Sequence, residues 1–230
     1  MSTKQTSGKI NKSQINGHLR VIGIAGGIGS GKSTVTDYLE QKNYHVYDAD
    51  VEAREAVMPG EPALDKLADC FGHDIINRDG TLNRRKLGQL AFSNQNDTEK
   101  LNKILHGQIS DRIDDKISSQ VQNMINSHNS SPTENSLDSI AFISAPLFFE
   151  AELEKKCDEI WVVTADKEVR INRTMERDGL SRTEVIDRIN RQMSDEERIQ
   201  KSDHVLINNG NKDELLRKVD KLLLNGNSPT

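Results

Sequence analysis

The chain has 230 residues, 34% hydrophobic and 29% charged, with a formal net charge of −5. That length suits one core domain carrying an inserted subdomain or lid. No uninterrupted apolar run approaches a membrane span, and the net charge argues against broad nucleic-acid binding while allowing a local basic pocket.

Residues 1–20 are polar, lack the apolar stretch of a secretory signal and are expected to form a disordered tail. The β-type run from Val21 then meets a glycine-rich turn, Gly26-Gly27-Ile28-Gly29-Ser30-Gly31-Lys32-Ser33-Thr34. Gly26, Gly31, Lys32 and Ser33 fit the phosphate-loop pattern G-x-x-x-x-G-K-[ST]. The glycines let backbone N–H groups converge on an anion that side chains would block. Lys32 offers a positive charge to the β- and γ-phosphates, and the Ser33 hydroxyl is placed to ligate Mg²⁺. The helix starting near Lys32 adds unpaired N–H groups and its positive dipole end. A glycine turn that merely contains a lysine would need neither the strand before it nor the helical spacing of Val35 and Leu39 after it. The loop predicts nucleoside triphosphate binding and leaves the fate of the phosphate open.

His45-Val46-Tyr47 reads as a second strand ending in Asp48-Ala49-Asp50. Ligands of open α/β sheets sit beyond the carboxyl ends of the strands, so both aspartates share an edge with the loop. Asp50 could be a plain N-cap. A cap alone does not account for two carboxylates facing a triphosphate site, and at least one is expected to be functional. Arg54, one turn further on, can point back to the same place.

From residue 51 to 126 the pattern is helical and shows no strand. Pro62 suits a first helical position, Leu64, Leu67, Ala68 and Phe71 repeat at helical spacing, and Gly72 is a stop. Asn83 is a cap for a helix through Leu87 and Ala91, and Leu101 opens a further stretch extended by Ile109, Ile113, Ile117 and Val121. This block reads as a helical subdomain inserted between the second and third strands. Residues 127–139 read as a polar surface loop. Strands follow at Ile140–Ile143, Ile160–Val163 and His204–Ile207, with Asp166 as the cap of the helix after the fourth. Capping boxes S-x-x-E begin at Ser181 and Ser194. Strands separated by helices predict an α/β fold with a parallel sheet covered on both faces. Arg170, Arg173 and Arg177 share one helical face. They are either a solvated face paired with Glu168, Glu176 and Asp178, or cations of a mobile lid over a migrating phosphoryl group. Cys70 and Cys157 lack metal spacing and read as buried or inert thiols of a reducing compartment, which fits the cytoplasm.

Taken in order, these stretches resemble the dephospho-coenzyme A kinase family. The matching residues are the loop from Gly26 to Thr34, Asp48-Ala49-Asp50 with Arg54, Phe71-Gly72, and Gly80 to Arg84 with Leu87 and Phe92. Leu101-Asn102 through His106, Pro146 to Glu150, Arg173 to Asp178, Arg188 to Gln192, and Asn208 complete the set. The resemblance implies a three-layer phosphate-loop kinase core with a five-stranded parallel sheet, formed by residues 21–50, 140–171 and 196–226. It also implies a dephospho-coenzyme A-binding helical domain over 51–126 and a lid over 172–195. The implied reaction moves the γ-phosphoryl group of ATP to the ribose 3′-hydroxyl of dephospho-coenzyme A, giving coenzyme A and ADP. By the family pattern Asp50 is the general base. Lys32, Mg²⁺ held by Ser33, and Arg173 or Arg177 stabilise charge, and Asp48, Arg54, Arg84, His106 and Glu150 line the acceptor site with Asp50. ATP and Mg²⁺ are the implied cofactors, and a monomer or weak homo-oligomer without nucleic-acid or membrane partners is expected.

The sequence departs from that pattern at three points. Gly107 stands where proline is usual, so the start of a helix there is expected to differ. Ser144 stands where aspartate is frequent, which leaves the second Mg²⁺ contact to Asp48 or water. Ser202-Asp203 replaces Ala-Asp, a change expected to be neutral. The nearest rival is another phosphate-loop kinase acting on a nucleoside monophosphate or a small alcohol, against which the long helical insert weighs. A GTPase-like switch is the rival of another class. Its guanine-reading N-K-x-D fails here, because Glu214 ends Asn211-Lys212-Asp213-Glu214.

Overall fold

The strand that leads into the glycine-rich loop, β1 (Arg20–Ala25), occupies the middle of a five-stranded sheet. In the computed structural model, which describes residues 19–128 and 139–225, the order is β2 (His45–Asp48), β3 (Ile140–Ser144), β1, β4 (Glu159–Thr164) and β5 (His204–Ile207). Every pairing is parallel. Almost all of the tail expected over 1–20, and residues 129–138 of the expected polar loop, lie outside the described residues. Both faces of the sheet are covered, which is why β1 and β3 read as nearly unbroken apolar runs rather than alternating ones.

On one face Ile22, Ile24, Phe142, Trp161 and Leu206 pack against Val35 and Leu39 of α1 (Lys32–Gln41) and Leu215, Val219 and Leu223 of α9 (Lys212–Asn225). On the other, Val21, Ala25, Ile143 and Val162 meet Phe148, Phe149, and Ile109 and Ile113 of α5 (Gln95–His128). Successive β1 side chains thus enter opposite cores, as the two-residue period requires. Gly23 lies in that alternation because a Cβ there would come 2.2 Å from the Phe148 ring.

Between β2 and β3 the chain builds α2 (Ala49–Glu55), α3 (Pro62–Phe71), α4 (Arg84–Ala91) and α5. Ala56, Val57, Leu67, Ala68, Ile75, Leu87 and Leu101 form a third apolar cluster there. Among the described residues the only β pairing in this region is an isolated bridge between Ile76 and Leu82. Helix α2 is tied to α5 by charge. Arg112 donates to Glu52 at 3.1 Å, Glu55 at 2.6 Å and Glu61 at 3.2 Å, and Lys116 also pairs with Glu52, whose carboxylate is buried. A buried carboxylate needs such partners.

Several local expectations are met in detail. Asn83 Oδ1 accepts from Lys86 N, Pro62 opens α3, Gly72 ends it at φ 94°, and both serine capping boxes close. Others are corrected. Asp48, not Asp50, caps α2, accepting from the N–H groups of Asp50 and Val51. Asp166 takes the N-cap position of α6 (Lys167–Asp178) but its side chain makes no cap bond. No new helix begins at Gly107, because α5 runs through it unbroken for 34 residues and reaches His128, inside the stretch expected to be loop. A mid-helix glycine costs about 1 kcal/mol relative to alanine, and the burial of Ile109, Ile113 and Val121 outweighs it. Cys70 is exposed rather than buried, and Cys157 is partly buried. No helix among the described residues is long and apolar enough to cross a membrane.

Candidate active site

The loop between β1 and α1 is held from beneath. Gly29 and Gly31 adopt φ of 74° and 95°, conformations costly for residues with a Cβ. Asn208, buried just past β5, donates from Nδ2 to the Ser30 carbonyl at 2.8 Å, and a Cβ on Gly31 would fall 2.1 Å from that nitrogen. On the far side Arg170 of α6 and Arg198 of α8 (Asp195–Gln200) are both 2% exposed and share the Asp195 carboxylate. A Cβ on Gly27 would lie 2.3 Å from Arg170 Nη2. Glycine at 27, a position that the phosphate-loop pattern leaves open, therefore makes room for Arg170 and Arg198.

Above the loop opens a cavity of about 560 Å³, lined by every residue from Gly26 to Thr34 together with Asp50, Pro146, Arg173, Arg177, Gln192, Asn208 and Lys212. Lys32 donates from Nζ to Ser144 Oγ at 2.6 Å. Burial pulls the Lys32 ammonium below its ordinary 10.5, while Asp48, Asp50 and Asp37 oppose that shift. Asp50 stands at the surface, yet protein atoms crowd its carboxyl. Partial desolvation, aided by repulsion from Asp48, pushes it above the ordinary 3.8, against the pull of Lys32 and Arg54. A carboxylate poised upward beside a lysine at a phosphate loop is suited to receive a proton. The Ser33 hydroxyl is a hard oxygen donor, which Mg²⁺ accepts when phosphate oxygens and water complete its octahedron. The residues present fit that ion.

The remaining expected residues are distributed more widely. The three arginines assigned to one face of α6 part company: Arg170 goes under the loop, Arg173 donates to the Asn208 carbonyl at 2.9 Å, and Arg177 binds Asp178 at 2.7 Å. Arg173 and Arg177 border the cavity. Asp48 lies close enough to act on Lys32 and Asp50, but its Oδ1 is committed to the cap. Arg54 is exposed and favours the charged form of Asp50. His106 is half-buried on α5 and pushed below its ordinary 6.5 by burial, with Glu150 opposing. Glu150 Oε1 accepts from Met193 N at 3.3 Å. Arg84 borders a separate cavity of about 190 Å³ among Ala53, Val57, Leu82, Leu87, Phe92 and Leu105.

Three features of the site have no local signature in the sequence. Ser144 as the partner of Lys32 depends on β3 lying beside β1. The Arg170–Asp195–Arg198 group beneath the loop joins residues that look like ordinary surface charges in their own helices. Gln192, which accepts from Ile28 N at 2.9 Å, follows α7 (Arg182–Asn190) by two positions, and nothing local marks it as a contact of the loop.

Comparison with known proteins covers the same span. The family model described as dephospho-CoA kinase matches residues 20–214. A dephospho-CoA kinase from Fusobacterium nucleatum is 36% identical over 203 residues, covering 88% of this chain and 96% of its own. One from Carboxydothermus hydrogenoformans is 38% identical, with 84% and 87% covered. A solved Thermus thermophilus structure superposes with a TM-score of 0.68 at 32% identity, over 90% of this chain and 98% of that one. The dephospho-CoA kinase structure from Campylobacter jejuni has a TM-score of 0.61 at 23% identity, over 90% and 98%, and shows the shared fold.

Proposed function

The chain belongs to the dephospho-CoA kinase family, and we propose that Asp50 is the general base of its reaction. The enzyme phosphorylates the ribose 3′-hydroxyl of dephospho-coenzyme A with ATP, giving coenzyme A and ADP in the last step of coenzyme A synthesis. The observation that carries the assignment is that, among the described residues, Asp50 is the one carboxylate lining the cavity formed by the phosphate loop. Its raised affinity for a proton suits transfer from an alcohol. In a loose phosphoryl-transfer transition state that transfer can lag behind bond cleavage, so a carboxylate suffices.

Lys32 and the N–H groups of the loop would hold the β- and γ-phosphates, and Ser33 would hold Mg²⁺. Bound there, Mg²⁺ would neutralise charge on the phosphate oxygens. Arg173 and Arg177 border the same cavity and would exchange their present acceptors, the Asn208 carbonyl and Asp178, for phosphate oxygens. Residues 172–195 would serve as the lid. Residues 51–126 would form the acceptor half, with Arg54, Arg84, His106 and Glu150 contacting dephospho-coenzyme A and Asp48 holding Asp50 in place from the cap of α2. Residues 21–50, 140–171 and 196–226 would form the nucleotide-binding core. The net charge of −5 and two cysteines without metal-type spacing support a cytoplasmic enzyme without a nucleic-acid partner.

The test is coenzyme A formation by Asp50→Asn protein. Turnover is expected to fall by about 10²-fold or more with ATP binding retained. Near-normal turnover would remove Asp50 from the role.

A further inference from the structure

At the rim of the donor cavity the two peptide groups that flank the Ile28 Cα are each held by a side chain. Arg170, fixed by Asp195, donates from Nε to the Ile28 carbonyl at 2.9 Å, and the Ile28 N–H donates to Gln192 Oε1 at 2.9 Å. Since the backbone nitrogen is a donor, the atom facing it is the carboxamide oxygen, and the orientation of Gln192 is settled by the network. Its Nε2 therefore points away from the Ile28 peptide with two N–H groups to give. No protein acceptor for Nε2 occurs among the described residues. Gln192 borders the cavity alongside the loop, Asp50, Arg173 and Arg177. It also sits where the lid segment returns to the core, two residues before the Ser194 capping box.

We propose that Gln192 binds the terminal phosphoryl group of ATP through Nε2 while its Oε1 keeps the Ile28 peptide in place. This rests on reading the loop as the ATP site. The carboxamide is anchored at one end by the Ile28 N–H, and Arg170 restrains the same residue by holding its carbonyl in the next peptide and packing against Gly27. A donor fixed in that way loses little freedom on meeting an anion, and a hydrogen bond to a charged acceptor is among the stronger ones. The residue then distinguishes triphosphate from diphosphate, and it ties the position of the lid to the nucleotide bound.

Two substitutions separate this from a purely structural role. Gln192→Glu keeps an oxygen for Ile28 N–H but replaces the donor with a charged acceptor. Gln192→Ala removes both. Affinities for ADP and for the nonhydrolysable imido analogue of ATP, each with Mg²⁺, are measured by calorimetry without dephospho-coenzyme A, and thermal unfolding checks each variant. The expected result is that Gln192→Glu weakens the triphosphate by about tenfold or more relative to ADP, and by more than Gln192→Ala does. Equal losses for both nucleotides, or a Gln192→Glu protein that matches wild type, would overturn the proposal and leave Gln192 as a support of the loop. Tighter triphosphate binding by Gln192→Ala would overturn it as well, since the side chain would then be a plug that phosphate displaces. Wild-type protein that bound neither nucleotide would overturn the ATP-site reading itself.

Discussion

Around the phosphate loop, side chains with almost no exposure hold it in place: Asn208 and Arg170 bond the backbone carbonyls of Ser30 and Ile28, and Ser144 accepts from the Lys32 ammonium. In the helical half the functional candidates are less enclosed, and His106 is half-buried. Arg54 and Arg84 are exposed, and Phe92, beside the smaller cavity, is 69% exposed. The link from α2 to α5 passes through Arg112 and Lys116, 26% and 41% exposed, onto buried Glu52. The contrast is consistent with the division of labour proposed above. Phosphoryl transfer loses rate steeply when the donor is misplaced, so the loop is prepared in advance. A large acceptor has to enter, be enclosed and leave, which favours a surface that can adjust.

The strongest way to break this contrast is on the donor side. Lys32→Ala is expected to abolish tight ATP binding in calorimetry and to lower coenzyme A formation by about 10³-fold, the upper range for losing one group that stabilises transition-state charge. Unchanged ATP affinity would mean that the loop is not the donor site. The pH profile of kcat/KM for the free enzyme is a finer probe. Asp50 must be ionised to accept a proton, and its carboxyl is pushed above 3.8, so the acid limb should lie above the ordinary aspartate range. Lys32 must be charged and is pulled below 10.5, so the basic limb should fall early. An acid limb that persists in Asp50→Asn protein would assign it to another group.

The smallest expected effect belongs to the helical half. Arg112→Ala leaves Glu52 with Lys116 alone. The loss should be about 2–3 kcal/mol in urea unfolding, less than for a fully buried pair because water and Lys116 remain. The KM for dephospho-coenzyme A should rise while that for ATP holds. Equal changes in both would show that the two halves are not separately tuned.

What could be read in the residues was local. The phosphate loop, the five strands, Pro62 at the start of α3, the Asn83 cap and both serine boxes are short patterns whose physics is complete within a few residues. What could not be read depended on partners far along the chain. Arg170, Arg173 and Arg177 have the same spacing and chemistry, yet only Arg170 meets the loop, 142 positions away, and becomes buried. Ser144 looks like a lost metal ligand until β3 is set beside β1. Gly107 looks like a break because glycine is a poor helix former, and only the packing of Ile109 and Ile113 against the sheet carries α5 past it. The alternative reading of Asp50 as a plain cap falls because Asp48 precedes α2 and accepts from the N–H groups of Asp50 and Val51.

That long helix has a further consequence. At 1.5 Å per residue α5 is a rod of about 51 Å, with Leu101 in the apolar cluster of the helical half and Ile109 and Ile113 in the cluster under the sheet. A wall of each core is therefore made from the same piece of backbone. Melting either core strips the other of packing, so the two behave as a single cooperative unit rather than as independent foldons. The helical half is thus not a cassette that could be cut out and grafted elsewhere.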